Sequence, residues 1–180
     1  MTTDYNLVLI GFILGFVSSV GFYHYKSYIE WKKDEKLTNK LLLIELKQTI
    51  IFLENIKKRF TDHFKIQTLD EVIKYMKTDQ AKTTGSQVPL ITEKISTRVY
   101  DDRYSKILSY TDYFSEEVID SLTDFYNNRI SYLNDLRDAI ERISWTSGNP
   151  AIAEFTLAYC INLNKAIEEA KDLKKSLPKL

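Results

Sequence analysis

The chain has 180 residues, with 25 basic and 25 acidic side chains, so its formal net charge is zero. This balance argues against a strongly basic nucleic-acid-binding protein. Cys160 is the only cysteine, so an intrachain disulfide is excluded, which fits a reducing compartment.

An uncharged apolar run lies between Leu7 and Tyr23, LVLIGFILGFVSSVGFY. As a helix this run spans about 25 Å, and its flanking residues extend it far enough to cross a hydrocarbon core. We therefore predict a transmembrane anchor over residues 6–25, preceded by a short outward tail over residues 1–5. Two alternatives remain open, namely a buried helix of a soluble protein and a signal peptide. A signal peptide would need basic residues ahead of the run, and the chain has none there.

Aromatic and basic side chains follow the apolar run, as is typical of a membrane–water boundary. The predicted membrane interface consists of Tyr23, Tyr25, Lys26, Tyr28, Trp31, Lys32 and Lys33. No Lys or Arg precedes the run. By the positive-inside rule, the N-terminus should then lie outside and the C-terminal domain in the cytoplasm.

Small residues recur every four positions within the run, at Gly11, Gly15 and Ser19. Such a stripe lets two membrane-spanning helices approach closely, and we predict that these residues pack one span against another. The simpler alternative is that Gly and Ser are common in spanning helices. Because no ionisable residue lies inside the run, a pore would have to form from several copies of the chain.

The rest of the chain, residues 26–180, is long enough for one domain with its own core. Apolar residues recur at helical spacing, and no alternating strand pattern is present. We predict a long helix over 26–66 that continues from the anchor, a short helix over 68–77, a loop at about 79–91, and helices over about 92–113, 116–145 and 150–177. The predicted fold class is all-α: one N-terminal transmembrane helix followed by a cytoplasmic up-and-down bundle of four to five helices.

The sequence offers little catalytic chemistry. It has no phosphate-binding loop, no metal-ligand spacing and no nucleophile elbow, so we expect no cofactor, no metal and no small-molecule substrate. Arg59 and His63 lie one helical turn apart and form the one candidate catalytic pair. The histidine could move the proton of an RNA 2′-hydroxyl while the arginine stabilises charge on the phosphate. The alternative is that both residues belong to the solvated end of a helix.

The plan of one span, a basic inward flank and a compact helical body resembles the small membrane accessory proteins of type VI-B CRISPR systems. These proteins carry a divergent form of the HEPN helical bundle, whose ribonuclease members use an arginine and a histidine. Arg59 and His63 map onto that pair, but they are closer in sequence than in those ribonucleases. The resemblance implies a location in the bacterial inner membrane, a ring of subunits that opens this membrane, and an RNA-guided nuclease or its RNA products as partners.

The leading functional hypothesis is a non-enzymatic, membrane-anchored oligomer that forms a pore or perturbs the bilayer and thereby enhances antiphage defence. Its partners would be lipid and further copies of the same chain. The alternatives are a membrane-tethered ribonuclease that uses Arg59 and His63, and a helical scaffold that recruits a partner to the membrane.

Overall fold

The computed structural model describes residues 2–78, 93–110, 113–144 and 151–178, without the side chains of residues 2–11, 13 and 144. In these ranges all regular structure is helical, so the fold is an all-α bundle. The helices are α1 (Thr2–Phe64), α2 (Leu69–Met76), α3 (Arg98–Ser109), α4 (Glu116–Thr123), a π-helical segment (Asp124–Ile130), α5 (Ser131–Ser144) and α6 (Ala151–Ser176). The predicted loop at 79–91 lies outside the described residues.

Two compact units divide the chain, residues 1–38 and residues 39–180. Helix α1 contributes to both, and no Gly or Pro interrupts the sequence from Tyr23 to its end at Phe64. In the second unit α1 buries an apolar stripe at helical spacing, as its sequence predicts. The buried residues of this stripe are Leu42, Leu46, Leu53, Ile56 and Phe60.

Helix α6 provides the centre of the core in the second unit. It packs against α2, α4, the π-helical segment and α5. Small and large side chains alternate along its buried face, and the ring of Tyr159 lies 6.0 Å from that of Phe60 on α1. Cys160 is fully buried beside Tyr159.

Helix α1 ends in a left-handed residue and α2 begins with a cap. Lys65 has a φ of 53°, and the N–H of Ile66 donates to the carbonyl of Thr61 at 2.9 Å, which closes the last turn of α1. Thr68 and Glu71 then bind each other's backbone N–H groups, which is the capping-box arrangement. These local contacts explain why the helical pattern breaks between α1 and α2.

Helix α3 is shorter than the predicted helix at 92–113 and begins at Arg98. The preceding residues are held in a non-helical conformation by Asn134 of α5. Its side-chain amide accepts from the N–H of Ile95 at 3.0 Å and donates to the carbonyl of Ile95 at 3.2 Å. Both backbone groups of Ile95 are thereby used, so a helix through this residue would lose two hydrogen bonds.

The helical stretch predicted at 116–145 contains a change of winding. Ser115 caps its start, since its side chain accepts from the N–H of Val118. From Asp124 to Ile130 the winding is π-helical, and the N–H of Ser131 donates to the carbonyl of Tyr126. The wider turn places Phe125, Tyr126 and Ile130 together in the core.

The burial of Cys160 predicts an unreactive thiol. Removal from water raises its pKa to about 12, so almost no thiolate exists near neutral pH. A thiol reagent at pH 8 should leave the folded protein unmodified and modify one cysteine per chain after unfolding.

A Ser105→Cys variant provides the control for this prediction, because Ser105 is exposed on α3. The variant should react at once with one equivalent of reagent in the folded state. Rapid modification of the folded wild-type chain would show that the core around α6 is open.

Candidate functional site

The first unit exposes an unusual amount of apolar surface on α1. Every described side chain from Phe12 to Tyr28 is exposed, including large apolar ones such as Phe12 at 71% and Phe22 at 70%. At about 100° per residue, the exposed Phe12, Leu14, Phe16, Val17 and Phe22 are distributed over all sides of the helix. A helix that is apolar on all sides requires cover on all sides.

The small residues of this segment have open surroundings. A Cβ placed on Gly15 or on Gly21 would have no atom within 4 Å. The hydroxyl of Ser19 donates to the carbonyl of Gly15 at 2.8 Å, so its polar group is satisfied within the helix. Gly11, the other residue of the predicted stripe, belongs to the side chains that the structure does not describe.

The predicted interface residues divide into two groups. Tyr23, Tyr25 and Tyr28 are exposed, and Lys26 lies 3.9 Å from the carboxylate of Glu30 in an exposed ion pair. Lys33 is also exposed.

Farther along, the ring of Tyr28 stacks with that of half-buried Trp31 at 6.3 Å. The ammonium of Lys32 lies 4.5 Å above the Trp31 ring and 3.1 Å from the carboxylate of Glu35. The cluster joins aromatic, cationic and anionic side chains, and its Glu35 is fully buried.

Within the described residues, no helical stretch combines the length and the apolar character needed to cross a membrane. The predicted anchor reaches into residues 2–11 and 13, whose side chains lie outside the described set.

Arg59 and His63 lie on the exposed surface of α1. The guanidinium of Arg59 is 3.8 Å from the carboxylate of Glu93, and both side chains are at least half exposed. The ring of His63 contacts that of Phe64 edge to face at 4.9 Å. A groove of about 260 Å³ at this end of α1 is lined by Glu54, Lys57, Lys58, Thr61 and Gln67, without Arg59 or His63. Within the described residues, both side chains of the pair are exposed rather than enclosed.

Glu45 of α1 forms a buried polar site that apolar spacing along the sequence does not predict. Its carboxylate is 5% exposed and accepts from the N–H of Val99 at 2.9 Å and from that of Tyr100 at 3.1 Å. These are first-turn donors of α3, where a helix has free N–H groups and favours negative charge. The sequence signal is the lone carboxylate in the apolar run from Leu41 to Leu46.

Two tyrosines complete this site. The ring of Tyr126, on the π-helical segment, stacks on that of Tyr100 at 4.4 Å. Burial raises the pKa of Tyr126 far above its usual range, and the neighbouring Glu45 carboxylate raises it further. Burial also raises the pKa of Glu45, against the opposing effect of the Val99 and Tyr100 N–H groups. The site holds α1, α3 and the π-helical segment together.

No group of three His, Cys, Asp or Glu side chains that could hold a metal ion occurs among the residues the structure describes.

Replacing Glu45 should destabilise the second unit. Glu45→Ala leaves two backbone N–H groups of α3 without their acceptor, and we expect the free energy of unfolding to fall by about 2–4 kcal/mol. Glu45→Gln keeps one acceptor oxygen in the same volume and should cost less. Chemical denaturation of both variants measures the difference, and equal losses would contradict the hydrogen-bond explanation.

The wild-type chain and Glu45→Gln should also differ in how their stability depends on pH. Because the folded state raises the pKa of Glu45 above its usual 4.5, its contribution to stability is fully present below that value and is lost as pH rises through the raised pKa. The stability of the wild-type chain relative to Glu45→Gln should therefore decrease as pH rises from about 4 towards neutrality. A difference that increases over this range would refute the raised pKa.

This chain matches no family model, no curated protein and no solved structure. Its resemblance to type VI-B accessory proteins consequently remains a prediction.

Proposed function

We propose that this chain is a membrane-anchored helical protein that acts as an oligomer and perturbs the bilayer, with residues 6–25 as its anchor. The observation that carries the proposal is the exposed apolar surface on all sides of α1 between Phe12 and Phe22. A partner protein that docks from one direction would cover one face of this segment. Lipid surrounds a helix and would cover every face.

The hydrogen bonding of Ser19 fits an apolar environment. The hydroxyl of Ser19 donates to the carbonyl of Gly15, so this hydroxyl needs no partner from water. The run from Leu7 to Tyr23 carries no charge, and the aromatic and basic side chains that follow it suit the headgroup region.

The proposed action on the bilayer involves several copies of the chain, because the apolar run of its predicted anchor carries no charge. An anchor without ionisable side chains provides no pathway for ions on its own, so an effect on permeability requires several copies. The open surroundings of Gly15 favour close approach of a second span. As the resemblance implies, this activity would serve as an accessory to RNA-guided antiphage defence in the bacterial inner membrane.

The ribonuclease alternative has less support. Arg59 is engaged with Glu93, and His63 lies on an exposed surface. A scaffold that recruits a partner to the membrane would share the same anchor and differ only in its cytoplasmic contacts.

A charge placed in the anchor tests the membrane proposal. Val17→Lys puts an ammonium in the middle of the apolar run, at an expected cost of about 3 kcal/mol for insertion. Wild-type protein should stay with the membrane fraction after alkaline extraction, whereas a larger fraction of the variant should be released.

Leu108→Lys is the matched control, since Leu108 is an exposed apolar residue of α3 in the second unit. This substitution should leave membrane retention unchanged. Complete release of the wild-type chain under alkaline conditions would contradict an integral anchor.

Replacement of His63 distinguishes the proposed non-enzymatic function from the ribonuclease alternative. Because His63 is exposed, His63→Ala should fold normally, and it should retain full effect on membrane permeability and on phage protection under the proposed function. Loss of protection together with loss of RNA cleavage would favour the ribonuclease instead.

A further inference from the structure

We propose that copies of this chain associate head to tail through two oppositely charged faces of residues 39–180. The basic ridge is the outer face of α1 formed by Lys40, Ile44, Lys47 and Ile51. The acidic groove lies between α4, the π-helical segment and α6, and is lined by Ser121, Asp124, Phe125, Glu169, Asp172 and Leu173. This contact deepens the proposed oligomeric function, on which it rests, by naming the surfaces that would form the oligomer.

The basic ridge presents apolar side chains that the fold leaves uncovered. Ile44 is 42% and Ile51 is 60% exposed, although other residues of α1 provide its buried stripe. The two isoleucines are seven residues apart, so they share one face at a separation of about 10 Å. Lys40 and Lys47 lie on this face too, and in the described part of the chain neither has an ion-pair partner.

The acidic groove combines apolar lining residues with three carboxylates, those of Asp124, Glu169 and Asp172. It has a volume of about 310 Å³, and the side chains of Phe125 and Leu173 lie among its lining residues. Two of these carboxylates have cationic partners. Arg129 donates two hydrogen bonds to Glu169, and the ammonium of Lys175 lies 2.8 Å from the carboxylate of Asp172.

Further carboxylates flank the groove on α4, the helix that contributes Ser121 to its lining. From residue 116 to residue 128 the sequence has four carboxylates and no Lys or Arg. The carboxylates are those of Glu116, Glu117, Asp120 and Asp124, and all four residues are exposed.

Charge decides which surfaces meet. A two-fold contact between two basic ridges would bring lysines against lysines, which is unfavourable. Contact between the ridge of one copy and the groove of the next pairs opposite charges and buries the two isoleucines against the apolar lining residues of the groove. Such a contact is heterologous, so each copy retains one free ridge and one free groove, and repetition produces a ring or a filament.

Charge reversal on the full-length protein in mild detergent tests this contact. The ridge variant carries Lys40→Glu and Lys47→Glu, and the groove variant carries Asp120→Lys and Asp124→Lys. Each variant alone has like charges on both surfaces, so its association should weaken at least tenfold relative to the wild-type chain. An equimolar mixture restores opposite charges at every contact and should recover the wild-type mass, measured by sedimentation.

Lys74→Glu with Lys77→Glu provides a matched reversal of two exposed lysines on and beside α2, away from both faces, and should leave the mass unchanged. Recovery in the mixture also demonstrates that both variants are folded.

Variants that keep the wild-type mass, or a mixture that fails to assemble, would overturn the contact. If the wild-type chain forms membrane-bound oligomers that charge reversal does not affect, the contact fails and the proposed function stands. If the reversals act on a protein that alkaline extraction releases from membranes, the contact stands and the membrane function fails. A monomeric wild-type chain would overturn both.

Discussion

The carboxylate of Glu45 on the first turn of α3 is the interaction on which the arrangement of the second unit depends. An ionised group inside a helical bundle is costly unless several donors compensate it. The N–H groups of Val99 and Tyr100 offset part of this cost, and they belong to the part of a helix where donors are otherwise free. This bond places Tyr100 where its ring stacks on that of Tyr126, and Tyr126 reaches that position from a π-helical turn.

The sequence predicts much of the helical structure because the relevant signals are local. The spacing of Leu42, Leu46 and Leu53 and the cap at Ser115 act within a few residues. The start of α3 at Arg98 could not be predicted in the same way, since Asn134 is 39 residues from Ile95 and Glu45 is 54 residues from Val99. The π-helical turn has no signal in apolar periodicity, because a wider turn shifts the phase of an otherwise regular pattern.

The candidate site is also only partly encoded in local patterns. The absence of charge between Leu7 and Tyr23 is visible in the sequence, and so is the aromatic and basic flank. By contrast, the spacing of Ile44 and Ile51 predicts that they belong to a broad buried stripe on α1. A covered face and an uncovered face of a helix have the same apolar spacing, so the sequence does not distinguish them. Only the packed bundle distinguishes them, since the core in the second unit is filled by α6 and leaves these two isoleucines outside.

Although the net charge of the chain is zero, the folded protein exposes basic and acidic side chains in different places. The cations and carboxylates are not evenly mixed, because α1 exposes Lys40 and Lys47 while the stretch from 116 to 128 exposes four carboxylates and has no Lys or Arg. A neutral chain with separated charges has little attraction for a uniformly charged polymer, yet it is complementary to a second copy of itself. Salt would screen the contacts between charged side chains at the rim of such an interface and leave the apolar contacts of the isoleucines intact. Electrostatics would then govern how fast and in which orientation two copies meet, and apolar burial would govern how long they remain together.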